Sequence, residues 1–436
     1  MSRSFTSLCR PGAALLLAAL ALGPAAIAVA QDRDVSTLID EAPAGEIAPL
    51  EAALAAARDK GTASLLRARI AALRLDRPAT DAALEAFDRS GDRTPLHRAA
   101  ALSIRADLAF AEGDYAAAAE AIDALAPLLE ANGKADAANE ARRTLSVAAL
   151  LAAVPRQGVA GGVPVATLTA RDKAGLVRAE VRVNGTAQDA VLDTGANLSV
   201  VTASTAKRLG LKMLEGEASV VSTGSAKVPT RLAIAERLVI AGIELHDVVF
   251  LVFDDAALSF PIPGGYQIDA IIGFPVFRAL GRVRFDRAGS FTPGGAAAPG
   301  AANLRSTGND LYVAARINDA AATLHLDTGA SATALTSRFA GDHAALVATL
   351  PRGARNIAGA GGVIQQPIAW WRPATVAIDG RTTTLPQVQL VLTPGPTGRE
   401  ANTGTIGQDV LHAFEWWAVD FRAMRFEFGP PVTATP

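Results

Sequence analysis

Two aspartates carry the clearest chemical signal in this 436-residue chain. Asp193 lies in "AVLDTGANLSVVT" (190–202) and Asp327 in "LHLDTGASATALT" (324–336), so Leu-Asp-Thr-Gly-Ala is written twice, each time closing an apolar, strand-like run. The tripeptide sets a carboxylate at the mouth of a strand, then a β-branched residue with a hydroxyl, then a glycine that lets the backbone turn sharply. One copy alone reads as an ordinary turn, where Asp and Gly are common for steric reasons. Two copies at equivalent places in two similar lobes allow a pseudo-twofold axis to bring the carboxylates face to face. Carboxylates that close cannot both ionise and must share a proton. The ionised member can then take a proton from a water held between them while the protonated member polarises a peptide carbonyl. Because the titration is coupled, acid and base roles belong to the pair rather than to one residue.

The elements around the two aspartates repeat as well. Asn184 and Asn318, Asp193 and Asp327, Gly273 and Gly407, and Asp286 and Asp420 all share one 134-residue offset, which argues for two copies of one design. Val177, Ala179, Val181 and Val183 alternate with Arg178, Glu180 and Arg182 before Asn184-Gly185, a strong signal for a tight hairpin. From there to about Gly429 short strands with Gly, Pro and Asn turns predict a mostly β region. The Gly/Ala/Pro-rich stretch Ser290 to Asp310 divides it.

Ahead of the β region the pattern is helical. From about Leu38 to Leu151 the chain is rich in Ala, Leu and Arg, with Ile47, Leu50 and Leu54, then Leu66, Ile70 and Leu73, recurring at spacings of three and four. Breaks at Gly61, Arg77-Pro78, Ser90-Gly91-Asp92 and Asn132-Gly133 predict helical hairpins. Within them "AEGDYAAAAEAIDAL" resembles half of a tetratricopeptide repeat, with Gly113, Asp114 and Tyr115 followed by Ala118, Ile122 and Leu125. A plain Ala-rich bundle is the alternative.

With both "LDTGA" copies and the later "IIG" and "TIG" in view, residues from about Val163 to Gly429 resemble the aspartic proteases of the retropepsin and pepsin group, and most of all bacterial retropepsin-like proteins. Joined to the helical pattern ahead of it, the resemblance gives the expectation of a multidomain chain, N-terminal all-α helical hairpins followed by an all-β two-lobed acid-protease domain. The expected divisions of the chain are a signal peptide at 1–30, a tetratricopeptide-like region at 31–155, a first lobe at 160–289, an inter-lobe linker at 290–310 and a second lobe at 311–430. The resemblance implies catalytic roles for Asp193 and Asp327. Thr194 and Thr328 would interlock across the lobes, Gly195 and Gly329 would let the backbone approach the carboxylates, and Ile271-Ile272-Gly273 and Ile406-Gly407 would buttress the two loops. Flap hairpins would carry Gly224 in the first lobe and Gly359, Gly361 and Gly362 in the second, with either one free to close on substrate. The chain departs from the family in carrying both halves itself where retropepsins usually dimerise. It also has Ala196 and Ala330 where pepsin-like enzymes usually have Ser or Thr, which removes a hydrogen bond to the ionised pair and favours activity at less acidic pH.

Composition bounds the rest. The net charge of −2, from 41 basic and 43 acidic residues, offers no basic field for nucleic acid. Arg3 and Arg10, the apolar "AALLLAALAL" and "AVA" before Gln31 read as a signal peptide cleaved near Ala30, placing the mature chain in a bacterial periplasm or outside the cell. An uncleaved anchor is the alternative, and only then is membrane contact expected. Cys9, the single cysteine, precedes that segment, so the mature chain would hold no thiol. His97, His246, His325, His343 and His412 show no metal-binding spacing, and no phosphate-binding or dinucleotide motif occurs; no metal and no cofactor is expected. Trp370-Trp371 and Trp416-Trp417 are expected in the core, with a peptide-contacting wall as the alternative. The expected partner is a protein or peptide substrate, with a possible protein partner at the helical region. The reading is an exported aspartic endopeptidase; its rival is a non-catalytic peptide-binding scaffold that keeps the cleft.

Overall fold

The fold is known from a computed structural model that describes residues 34–432 except 42–43, 223, 261–263, 298, 396–399 and 401. The signal-type segment and Cys9 lie outside the described residues.

Local chemistry sets the helix starts. Asp59, Asp76 and Asp114 each accept a hydrogen bond at a helix N-terminus, from the amides of Thr62, Ala79 and Ala117. Ahead of the β region seven helices are described: α1 (Val35–Glu41), α2 (Ala48–Ala56), α3 (Lys60–Leu73), α4 (Arg77–Ser90), α5 (Pro95–Ala111), α6 (Tyr115–Ala131) and α7 (Ala135–Leu151). The ends at Ser90 and Ala131 fall where Gly and Asn were expected to break the chain. Gly61 does not break it: Asp59 caps the helix two residues earlier, so Gly61 sits inside the first turn. Tyr115, Ala118, Ile122 and Leu125 are all buried, as their spacing on α6 requires.

The β region forms two large sheets. In the first, strands Val177–Val183 and Thr186–Leu192 are joined by Asn184 and Gly185, both at positive φ (48° and 84°), the backbone of a two-residue primed turn. In the second, Asp310–Ile317 and Ala320–Leu326 are joined in the same register around Asn318. The last strands of the chain cross back to the first sheet. Trp416–Asp420 pairs antiparallel with Arg282–Asp286, with Arg284 opposite Ala418, two residues related by the 134-residue offset. Trp417 stacks on Phe285 there at 4.1 Å. Buried Arg282 and Arg425 grip Glu427 between them at 2.9 and 3.5 Å.

The stretch Ser290–Asp310, expected as a linker, itself contains strands. Ser290–Pro293 pairs with Arg282–Asp286, and Leu304–Thr307 pairs with the start of Asp310–Ile317. Residues near the helical region share a core with the first sheet: Tyr115, Val147 and Leu151 pack in one apolar cluster with Val191, Leu198, Val200 and Val228.

Candidate active site

Each aspartate stands where a strand runs out. Thr186–Leu192 leads into Asp193 and Ala320–Leu326 into Asp327, and a short parallel strand braces each from the side. Ile271 and Ile272 lie beside Val191 and Leu192, and the Asp193 amide donates to Ile272 O at 2.9 Å. In the second lobe Ile406 lies beside Leu326, and the Asp327 amide donates to Ile406 O at 3.3 Å. The glycines that follow these isoleucines pass directly behind the Asp-Thr-Gly loops. A Cβ on Gly273 would sit 2.6 Å from Ala196 O, and one on Gly407 would sit 2.5 Å from the Ala332 backbone. Ile272, Gly273, Ile406 and Gly407 thus lie directly beside and behind the two Asp-Thr-Gly loops.

The two threonines lock the loops together. Thr194 N–H donates to Thr328 Oγ1 at 2.8 Å, and Thr328 N–H donates to Thr194 Oγ1 at 3.3 Å. Each hydroxyl in turn donates across the divide, Thr194 to Leu326 O and Thr328 to Leu192 O, both at 2.8 Å. Both side chains are fully buried. Each lobe thus supplies the hydrogen-bond partners that the other's buried backbone needs, and removing one hydroxyl would strand them at a cost of about 1–3 kcal/mol.

This lock brings the carboxylates together. Gly329 N–H donates both to Asp327 Oδ1 at 2.8 Å and to Asp193 Oδ1 at 3.1 Å, while Gly195 N–H donates to Asp193 Oδ1 at 2.8 Å. A Cβ on Gly195 would lie 2.7 Å from the Asp327 carboxyl and one on Gly329 would lie 2.4 Å from Asp193 Oδ2. Glycine is therefore required at both places by close approach. Burial raises the pKa of Asp193, and the charge of Asp327 with the hydrogen bond between the two carboxyls raises it further, against the Gly195 amide and the nearby His325. Such a pair holds one proton between two carboxyls at ordinary pH.

The hairpin that carries Gly224 and the one that carries Gly359–Gly362 meet beside the carboxylates. Ser222 Oγ donates to Ala360 O at 2.5 Å, and a Cβ on Gly224 would run into Gly362 O at 2.4 Å and Gly359 O at 2.9 Å. The Gly361 amide donates to Ala257 O of the first lobe at 2.9 Å. Residues of both hairpins, Ser219–Ser222 and 355–360, line the cleft that holds Asp193 and Asp327.

Several site residues escaped the sequence reading. Ser199 Oγ accepts from the Gly273 amide at 3.1 Å, and Thr333 Oγ1 accepts from the Gly407 amide at 3.0 Å. Both obey the 134-residue offset, so extending that comparison past Asp-Thr-Gly-Ala would have found them. Asp409 fixes Thr333 by accepting from its hydroxyl at 2.6 Å. His325, set aside on sequence, lies on the strand that ends at Asp327, two residues earlier, and lines the same cleft. Its Nε2 is 3.3 Å from Asp310 Oδ1, an ion-pair distance without hydrogen-bond alignment. Burial disfavours a charged imidazole there, but Asp310, backed by Asp327 and Asp193, outweighs it and lifts the pKa to about 9.

The other conspicuous residues lie elsewhere. His97 bridges Asp92 and Asp34, His246 contacts Asp247, His343 packs on Phe339, and His412 contacts Gln408. No three potential metal ligands cluster among the described residues. Trp417 is a core residue, whereas Trp416 and Trp370 are only partly buried and stack under Arg284 and Arg372.

Comparison with known proteins bears on the same residues. The family model described as aspartyl protease matches residues 179–276, which hold Asp193 and its Ile272-Gly273 support but stop short of Asp327; this supports the aspartic protease family for the chain. Among solved structures, a retropepsin-like aspartic protease from Rickettsia conorii is similar at 18% identity, over 31% of this chain and 91% of that one, with a TM-score of 0.21. A comparison with the curated proteins gives no match.

Proposed function

We propose that the protein is an exported aspartic endopeptidase whose working pair, Asp193 and Asp327, comes from the two lobes of a single chain. The observation that carries this reading is the shared cradle, in which Gly329 N–H donates to one oxygen of each carboxyl beneath two touching flaps. The pair takes a proton from a bound water and gives one to the carbonyl oxygen of the scissile peptide, forming a tetrahedral diol. Collapse of the diol breaks the C–N bond as the amine nitrogen receives a proton, returning one proton to the pair and releasing a carboxylic acid and an amine. An extended peptide would add main-chain hydrogen bonds to the flap strands, as polypeptides do at open sheet edges. Export rests on the signal-type segment before Gln31, and the shared offset of the two lobes is read as a duplication.

The test is incubation of the chain from Gln31 onward with a diverse peptide library from about pH 3 to about pH 9, the products read by mass spectrometry. Internal cleavage, blocked by a peptide carrying a hydroxyethylene group in place of the scissile amide, is expected. Tight peptide binding with no cleavage at any pH would instead point to a scaffold.

A further inference from the structure

The cleft beneath the flaps extends beyond the β region. α3 and α5 pack against the strand Leu304–Thr307, and α7 packs against Ala218–Ser222, the outer strand of the first flap. The open space that reaches Asp193 and Asp327 is therefore also walled by Ser103 and Phe110 of α5, Ile122 and Leu125 of α6, and Ala141 and Val147 of α7. Its volume of about 1270 Å³ exceeds the roughly 300–1,000 Å³ typical of a small-molecule pocket. The helical wall is mostly apolar. Of its charged members, Asp107 is paired with Arg69 at 2.7 Å, leaving Glu140 and Arg143.

The turn Thr307–Asp310, which follows the strand that α3 and α5 pack against, lines the same cavity. Asn309 is 2% exposed; its Nδ2 donates to Asn197 O at 2.5 Å, which fixes the orientation of the amide. Its Oδ1 is buried with no partner in the protein, and so is Thr307 Oγ1. Buried acceptors without partners are uncommon, so this turn beside the cleft holds polar groups that its own fold leaves unsatisfied.

We propose that the substrate site continues from the two aspartates across the Thr307–Asp310 turn onto the inner face of α5–α7, which holds an extended, mainly apolar stretch of the same polypeptide beyond the scissile bond. The inference rests on the endopeptidase reading for the chemistry, but its binding claim can be measured separately. The helical region is then a determinant of which substrates are cut, and the flap that α7 supports closes over a chain already held by the helices.

The test uses the full chain from Gln31 with Ser103→Trp and Ala141→Trp, two partly exposed positions on the wall, each variant first checked for the parent's melting temperature. A peptide cleaved in the library screen is prepared in a short form of about eight residues and a long form of about twenty with apolar flanks. For each form, cleavage kinetics and calorimetric binding are measured. Both variants are expected to keep kcat/KM for the short peptide within about twofold and to lose about tenfold or more for the long one, through KM, with a matching loss of binding. Equal handling of the long peptide by variants and parent would overturn the inference while leaving the endopeptidase reading intact. If the screen yields no cleaved peptide, the comparison is made with the tightest-binding one, and binding of its long form that both indoles weaken would support the wall and remove the protease.

Discussion

At the scale of single residues the site is an arrangement of charges in a buried place, and the titration of His325 follows from it. Asp310 holds the imidazole charged, with a pKa raised to about 9, and the cation in turn lowers the pKa of Asp193. The sign follows by linkage: a histidine raised in the folded state contributes stability that is whole below its unfolded pKa and fades as pH rises through about 9. Replacing Asp310 with Asn should lower the His325 pKa, since burial is then opposed only by Asp327 and Asp193, as followed by imidazole NMR. The same change should move the alkaline limb of the cleavage profile, set by loss of the pair's shared proton, to higher pH, because neutral His325 no longer opposes the raised pKa of Asp193; an unmoved imidazole titration would show that Asp310 is not its partner. Asp193, Asp327, the two threonines and their glycines were legible because a duplicated motif fixes both type and place. His325, Asp310 and Asn309 were not, because they have no shared counterpart in the first lobe and their meaning depends on which strands meet in space.

Elements turn these residues into a site by passing close behind one another. The parallel strand ending at Ile406 and the loop after Asp327 are so near that Gly407 has no room for a methyl group, and Gly273 repeats this in the first lobe. Gly407→Ala should therefore destabilise the protein by about 1–3 kcal/mol through forced backbone displacement, measured by urea unfolding. It should also cut turnover more than it weakens substrate binding, because Asp327 is displaced with its loop. A variant as stable and active as the parent would mean the loop yields freely and the strand supports nothing. The hairpins at Asn184 and Asn318 and the helix ends at Ser90 and Ala131 were readable from turn chemistry. The strands inside Ser290–Asp310 were hidden, because their pairing is supplied by distant partners and the surrounding Gly, Ala and Pro carry no alternation. Contact between the two flap tips is likewise a tertiary event with no local signature.

For the whole molecule the helical and β regions are coupled through a common core. Tyr115, Val147 and Leu151 lie in one cluster with Val191, Leu198 and Val228, so the strand that carries Asp193 leans on helices more than forty residues away in sequence. Removing residues 31–155 should expose this surface and give a chain that aggregates or binds hydrophobic dye, whereas a soluble product with the parent's melting temperature would show that the shared core is dispensable. The fold class, helices and then sheets, could be read from period alone; the docking of one on the other could not, since apolar residues at helical spacing do not say what they face. The central claim is that one chain supplies both carboxylates of one catalytic pair, and the most direct measurement is peptide cleavage by Asp193→Asn, by Asp327→Asn and by an equimolar mixture of the two. The account predicts that each variant falls about a thousandfold or more below the parent and that mixing restores nothing. Cleavage near parental rates by either variant alone would contradict the pair, and recovery on mixing would contradict its residence in a single chain.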